Sequence, residues 1–168
     1  MLFHKLSDRL KMSYKVRVGW WIYKLGSCGK VLEIGCGNGW MLAGLRDHGW
    51  EVVGLERSLE SGRFAVAKLN LPIIVGDLEA LRPIPTFDLV VLHNVLEHLP
   101  DPMRALETCA AVLKPGGSLL IVVQNIASWQ FHLTKEHWFH LDVPRLPSVH
   151  SIFQRNRRRA LQRLQALR

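Results

Sequence analysis

One run of nine residues constrains this chain more than any other: Val31-Leu32-Glu33-Ile34-Gly35-Cys36-Gly37-Asn38-Gly39. Val31, Leu32 and Ile34 have the apolar, β-branched character of a parallel strand buried on both faces. The three glycines at alternate positions let the backbone turn sharply and lie close to a ligand, because no Cβ intervenes. Trp40-Met41-Leu42-Ala43-Gly44-Leu45 then reads as the first turns of a helix. A helix that starts there directs free N–H groups and the positive end of its dipole at whatever the glycines admit. The spacing is G-x-G-x-G, one residue shorter than the dinucleotide fingerprint G-x-G-x-x-G. An acid, Glu33, stands two positions before the first glycine.

The chain continues as alternating strand and helix signals. Glu51 to Glu56 reads as a second strand, and Glu56 ends it, 17 residues past Gly39. An acid at that place in a nucleotide-type βαβ unit accepts hydrogen bonds from two neighbouring ribose hydroxyls. Arg57 follows it, and Ser58 suits the N-cap of a helix running to Leu69. Leu71 to Gly76 reads as a third strand, with Asp77 and Leu78 directly after it. Phe87 to Leu92 reads as a fourth. Pro100-Asp101-Pro102 opens a further helix, with Asp101 as cap and Pro102 in the first turn. Its expected apolar face is Met103, Leu106, Ala110 and Leu113. Lys114-Pro115-Gly116-Gly117 is expected to end that helix, and Ser118 to Val123 to form the fifth strand.

Three motifs in this order carry a resemblance to a known family. The acid-x-G-x-G-x-G run at Glu33 to Gly39 resembles the first motif of class I S-adenosylmethionine-dependent methyltransferases of the small-molecule type. Phe87 to Pro102, reading F-D-L-V-V-L-H-N-V-L-E-H-L-P-D-P, resembles their fourth motif. The L-K-P-G-G run from Leu113 to Gly117 resembles the approach to their fifth strand. Across residues 31–125 the resemblance implies an α/β fold, a Rossmann-like open parallel sheet flanked by helices, in the order 3-2-1-4-5. It implies S-adenosyl-L-methionine as the methyl donor. Glu33 with Gly35, Cys36, Gly37 and Gly39 would hold its amino acid end, where a carboxylate suits the ammonium. Glu56, with Arg57 beside it, would hold the ribose. Asp77 would meet the adenine amino group, and the Leu78 N–H a ring nitrogen. His93 and Asn94, past the carboxyl end of the fourth strand, would border the sulfonium and the acceptor. Asp88 has the position of a structural residue, and Cys36 is expected to pack rather than react.

The resemblance has limits. Some quinone-pathway O-methyltransferases of this group carry Glu-x-x-Glu-His after the fourth strand and use a divalent cation. Here the run is Asn94-x-x-Glu97-His98, without the first carboxylate, so no metal is expected, and Glu97 and His98 are expected to serve structurally at a helix start. Residues 126–147 depart from regular periodicity and carry Trp129, Phe131, Trp138 and Phe139 among three histidines. They suit a lid over an acceptor, in which His137 or His140 could act as general base. With His93 these are the weak catalytic candidates. Beyond Arg145 the family pattern ends, the usual last strands are missing, and the edge of the fifth strand is expected to stand open. Two other readings remain: a cofactor-binding domain without activity, and a nicotinamide-dependent oxidoreductase with an unusual glycine loop.

Composition sets the remaining bounds. The chain has 168 residues, enough for one domain with a sizeable core. Its net charge of +8 is concentrated at the ends. Residues 1–30 hold seven Lys/Arg against one acid, and residues 151–168 hold six Arg and no acid, so residues 31–150 are net negative. That argues against a nucleic-acid role for the body of the chain. Residues 1–30 suit an amphipathic helical segment with a solvated basic face, and residues 148–168 a basic tail. No apolar run is long enough to span a bilayer, and the first residues lack the apolar centre of a signal peptide. Cys28, Cys36 and Cys109 form no C-x-x-C pair, which suits free thiols in a reducing compartment. The expected location is cytoplasmic and the expected partner a small molecule. Neither the acceptor nor the oligomeric state is readable.

Overall fold

A computed structural model of the chain describes Ile22 and residues 28–123. Its elements in order are β1 (Lys30–Ile34), α1 (Trp40–Asp47), β2 (Glu51–Glu56), α2 (Leu59–Leu69) and β3 (Ile73–Val75), then a 3-10 turn (Leu78–Ala80), β4 (Phe87–His93), a second 3-10 turn (Leu96–His98), α3 (Pro102–Val112) and β5 (Leu113–Val122). The five strands form one sheet in the order β3-β2-β1-β4-β5. This is the Rossmann-like open sheet that the resemblance implies. Of the N-terminal segment, Ile22 alone is described, and it is helical and fully buried. The lid segment, with His137 and His140, and the basic tail lie outside the described residues.

The chain divides into two compact units, Met1–Gly76 and Asp77–Arg168. In the first, β1 and β2 pair in parallel from Lys30↔Glu51 to Ile34↔Leu55, and β2 pairs with β3 from Gly54↔Ile73 to Glu56↔Val75. Val31, Leu32 and Leu42 are fully excluded from water. Burying each such side chain stabilises by about 1.5–3 kcal/mol. Gly54 sits at the tightest point of this packing. A Cβ there would lie 2.6 Å from both Cys36 Sγ and Ile73 Cδ1, and 2.9 Å from Leu42 Cδ1. Cys36 is therefore a packing residue through its side chain, as its size suggested. The Ser58 hydroxyl caps α2 by accepting from the Ser61 N–H at 3.2 Å. The third strand is shorter than expected. Pro72 has no N–H for the ladder, and its carbonyl instead accepts from the Gly54 N–H at 2.9 Å.

In the second unit, Leu89, Val90, Val91 and Leu92 of β4 are at most 1% exposed, so the middle of this strand is buried. Asp101 caps α3, its Oδ1 accepting from the N–H groups of Met103 at 3.1 Å and Arg104 at 3.0 Å. Two sequence expectations are corrected here. The buried face of α3 is Pro102, Ala105, Leu106, Cys109 and Val112, whereas Met103, Ala110 and Leu113 are half-buried. The strand β5 begins at Leu113, not Ser118, because Pro115 and Gly116 bend an extended chain rather than end a helix. Phe87 pairs with Leu113 and Leu89 with Ser118, which leaves the intervening residues in an irregularity. Gly116 turns there at φ 79. Asp88, opposite the irregularity, accepts from Lys114 Nζ through both oxygens, at 3.0 and 2.9 Å. The structural role expected of Asp88 is thus a clamp across the first turn of β5.

Cys109 is wholly buried on α3. Burial pushes its thiol from 9.0 up to about 12, against a smaller opposing pull from a backbone hydrogen bond. The folded state therefore favours the neutral thiol, and the unfolded chain ionises first. That contribution to stability is complete below pH 9 and is lost as the pH climbs toward 12. Denaturant titrations should show the chain losing about 2 kcal/mol more than Cys109→Ala between pH 8 and 10.5. Parallel pH curves for the two proteins would contradict the assignment.

Candidate functional site

In the first unit the site is built on the turn between β1 and α1. Gly35, Gly37 and Gly39 take φ values of 69°, 55° and 76°, all in the left-handed region that favours glycine. The N–H groups of Gly35 and Cys36 both donate to the Leu55 carbonyl, at 2.7 and 3.2 Å, which ties the turn to the neighbouring strand. The Gly39 N–H closes the loop on the Cys36 carbonyl at 3.0 Å. Gly39 is itself the N-cap of α1, with no side chain to cover the helix end. The N–H groups of the first turn have no partner within the helix.

Glu56, the last residue of β2, holds this loop. The Gly37 N–H donates to Glu56 Oε2 at 2.7 Å, and the Ser58 N–H to Oε1 at 2.7 Å. One half-buried carboxylate therefore fixes the apex of the glycine loop and the approach to α2. A carboxylate has about four lone-pair sites, so capacity remains for further donors. Glu33 is 5% exposed, on the strand that feeds the loop. Arg57 is exposed. The second and third glycines differ in their surroundings. A Cβ on Gly37 would meet nothing within 4 Å, whereas a Cβ on Gly39 would lie 2.5 Å from Leu71 Cδ1 and 3.2 Å from Ala65 Cβ. Gly37 borders open space, and Gly39 serves close packing against α2 and the residue before β3.

In the second unit, Asp77 is the exposed N-cap of the turn Leu78–Ala80, and its carbonyl accepts from the Ala80 N–H at 2.9 Å. His93 ends β4. Asn94 follows in the left-handed region at φ 55, its N–H donating to the Val122 carbonyl at 2.8 Å. A non-glycine residue held there is uncommon, and such residues cluster at functional sites. His93 and Asn94 are half-buried. Glu97 lies on the 3-10 turn after them, where a helix start was expected; the helix begins only at Pro102. Glu97 is 4% exposed, and neither carboxylate oxygen has a hydrogen-bond partner. One faint sign of this burial is legible beforehand, since Val95, Leu96 and Leu99 surround the Glu97-His98 pair. His98 is exposed. No group of three metal-ligating side chains gathers among the described residues.

Set beside known proteins, the chain matches the methyltransferase domain family over residues 6–167. It is similar to a ubiquinone biosynthesis O-methyltransferase of Coxiella burnetii, 35% identical over 101 residues that make up 56% of this chain and 43% of that protein. The chain thus spans less than half the length of that relative. A solved Pyrococcus horikoshii protein superposes with a TM-score of 0.60 at 28% identity, covering 72% of this chain and 59% of its own. A sugar N-methyltransferase from a Streptoalloteichus species superposes with a TM-score of 0.57 at 25% identity, over 63% of this chain and 47% of its own.

The contrast between the two glycines is testable by urea denaturation. Gly39→Ala should cost about 2 kcal/mol or more, since strain at positive φ adds to overpacking. Gly37→Ala should cost about 1 kcal/mol, since only the backbone is strained. Equal losses would mean that the two turns are packed alike.

Proposed function

We propose, for a chain that belongs to the methyltransferase domain family, that it transfers the methyl group of S-adenosylmethionine to a small-molecule acceptor. The observation that carries this reading is the Glu56 carboxylate holding the Gly37 N–H at 2.7 Å beside open space over Gly37. It supplies an anion, with acceptor capacity to spare, at the end of β2 and next to a bare helix N-terminus. A neutral vicinal diol fits the remaining lone pairs better than a phosphate, which the carboxylate would repel. A dinucleotide ribose would suit the same carboxylate, so the preference for a sulfonium nucleoside rests on the G-x-G-x-G spacing, one residue shorter than the dinucleotide fingerprint.

The roles follow residue by residue. Glu33 and the loop formed by Gly35, Cys36, Gly37 and Gly39 hold the amino acid end, with Cys36 acting through its backbone. Glu56 holds the ribose, with Arg57 adjacent. Asp77 and the Leu78 N–H hold the adenine, and His93 and Asn94 border the reaction centre. The sulfonium itself activates the methyl group, so the chain supplies mainly binding and alignment. The names of the similar proteins support a small-molecule oxygen or nitrogen as acceptor. No helix among the described residues is long and apolar enough to cross a membrane, and we assign the chain to the cytoplasm.

A second reading has one observation in its favour: the chain covers 43% of the Coxiella relative. It could be a cofactor-binding module whose acceptor side is supplied elsewhere. Binding of S-adenosylhomocysteine without transfer to any of a panel of hydroxyl and amine acceptors would select that reading.

Calorimetric titration tests the site. The chain should bind S-adenosylhomocysteine and not NAD. Glu56→Ala removes a charged acceptor from both loop and ligand, and should weaken binding at least tenfold, which is about 1.4 kcal/mol. Unchanged affinity in Glu56→Ala, or preference for NAD, would overturn the assignment.

A further inference from the structure

β3 is the outer strand of the sheet beside β2, and methyl transfer makes no use of its free edge. The Gly54 N–H donates to the Pro72 carbonyl at 2.9 Å, and the Gly76 N–H donates to the Glu56 carbonyl at 3.0 Å. Backbone groups of successive strand residues alternate between the two edges. Pro72, Ile74 and Gly76 therefore face β2, whereas Ile73 and Val75 turn their N–H and C=O groups away from it. Among the described residues no strand pairs with that outer edge. Its side chains are apolar as well. Ile74 and Val75 are exposed, and so are Leu59 and Val66 of α2. Leu59, Gly62 and Val66 recur at i, i+3 and i+7, which sets them on one stripe of the helix. A Cβ on Gly62 would lie 2.9 Å from Val75 Cγ2 and 3.5 Å from Ile73 Cγ2, so this stripe is turned toward β3. α2 thus carries more apolar surface toward the edge than a strand of three residues covers.

We infer that this edge docks a second copy of the chain, β3 pairing antiparallel with β3 of the other copy about a two-fold axis at Ile74. The pattern itself selects a copy over an unrelated partner, because the outward groups lie symmetrically, one residue before and one after Ile74. With the axis there, Ile73 of each copy meets Val75 of the other as a hydrogen-bonded pair. Four N–H···O bonds form, and every outward group of Ile73 and Val75 is satisfied. Ile74 meets Ile74 as the closer, non-hydrogen-bonded pair on the face away from α2. On the other face, Ile73 and Val75 of both copies lie beneath the two copies of α2. Each helix packs against its own β2 and β3, so the two stand two strand spacings apart, about 10 Å, an ordinary distance for packed helices. They run antiparallel and pass each other at Gly62, level with the axis. Leu59 of one copy then meets Val66 of the other, twice over. The contact uses the same patch on both copies and therefore closes at two.

Analytical ultracentrifugation of the full chain from about 1 µM to about 1 mM should show its mass rising from one chain toward two and stopping there. Ile74→Lys sets two ammonium groups directly opposite each other, which opposes pairing. It should keep the mass of one chain throughout, and in dilute solution it should melt with the original chain, since Ile74 is exposed. Val66→Lys changes an exposed helix residue and should weaken dimerisation at least tenfold, which carries the test if Ile74→Lys does not fold. Cysteine reads the register, in a Cys28→Ser background because Cys28 is itself exposed. Ile74→Cys should cross-link into a dimer on mild oxidation, since the Cα atoms of a non-hydrogen-bonded pair lie about 4.5 Å apart, within disulfide reach. Val66→Cys, also exposed, should not, since Val66 faces Leu59 of the other copy and not its own counterpart. A mass that stays at one chain or climbs past two would overturn the inference. So would an undiminished rise in a folded Lys variant, or Val66→Cys cross-linking as fast as Ile74→Cys.

Discussion

The contact between the Glu56 carboxylate and the Gly37 N–H, at 2.7 Å, organises the first unit. A loop of three left-handed glycines has few conformational constraints of its own and loses much backbone entropy on ordering. Its position must be imposed from outside. Three bonds do so from the neighbouring strand: the Leu55 carbonyl takes two loop N–H groups, and the next residue, Glu56, takes a third. A charge-assisted bond is roughly twice as strong as a neutral one, so the carboxylate is the stronger hold. The other oxygen of Glu56 accepts from Ser58, whose hydroxyl caps α2. Loop apex, strand end and helix start are thereby fixed by one side chain.

This arrangement explains why the central elements were legible in the sequence. Buried parallel strands read as apolar runs, and Val31 to Ile34 and Leu89 to Leu92 read that way because water is excluded along them. The caps were equally readable, since Ser58 and Asp101 do their work within three residues of themselves. Glu56 was legible by its distance from the glycines. Its contact with Gly37 was not, because it spans 19 residues and depends on register.

What escaped the sequence was decided by tertiary packing or by a local balance. L-K-P-G-G reads as a helix stop, yet the Asp88–Lys114 pair holds the same residues extended as the start of β5. The face of α3 was misjudged because Ala105 and Cys109, small residues, pack inward while the larger Met103 remains half-exposed. The glycines look alike in sequence and differ in purpose. Gly54 and Gly39 make room for side chains, whereas Gly37 borders open space. Only the position of the surrounding side chains separates the two cases.

Three glutamates show how environment rather than residue type distributes function. Glu56 is half-buried, and each of its oxygens accepts from a backbone N–H. Glu33 is buried within β1, two residues before the first glycine of the turn. Glu97 is buried on a short turn after β4 with both oxygens unused. The sequence alone expects Glu33 to meet a ligand ammonium, Glu56 a ribose, and Glu97 to serve structurally at a helix start. Their surroundings separate them: Glu56 organises backbone, Glu33 is buried within β1, and both oxygens of Glu97 are buried without a hydrogen-bond partner.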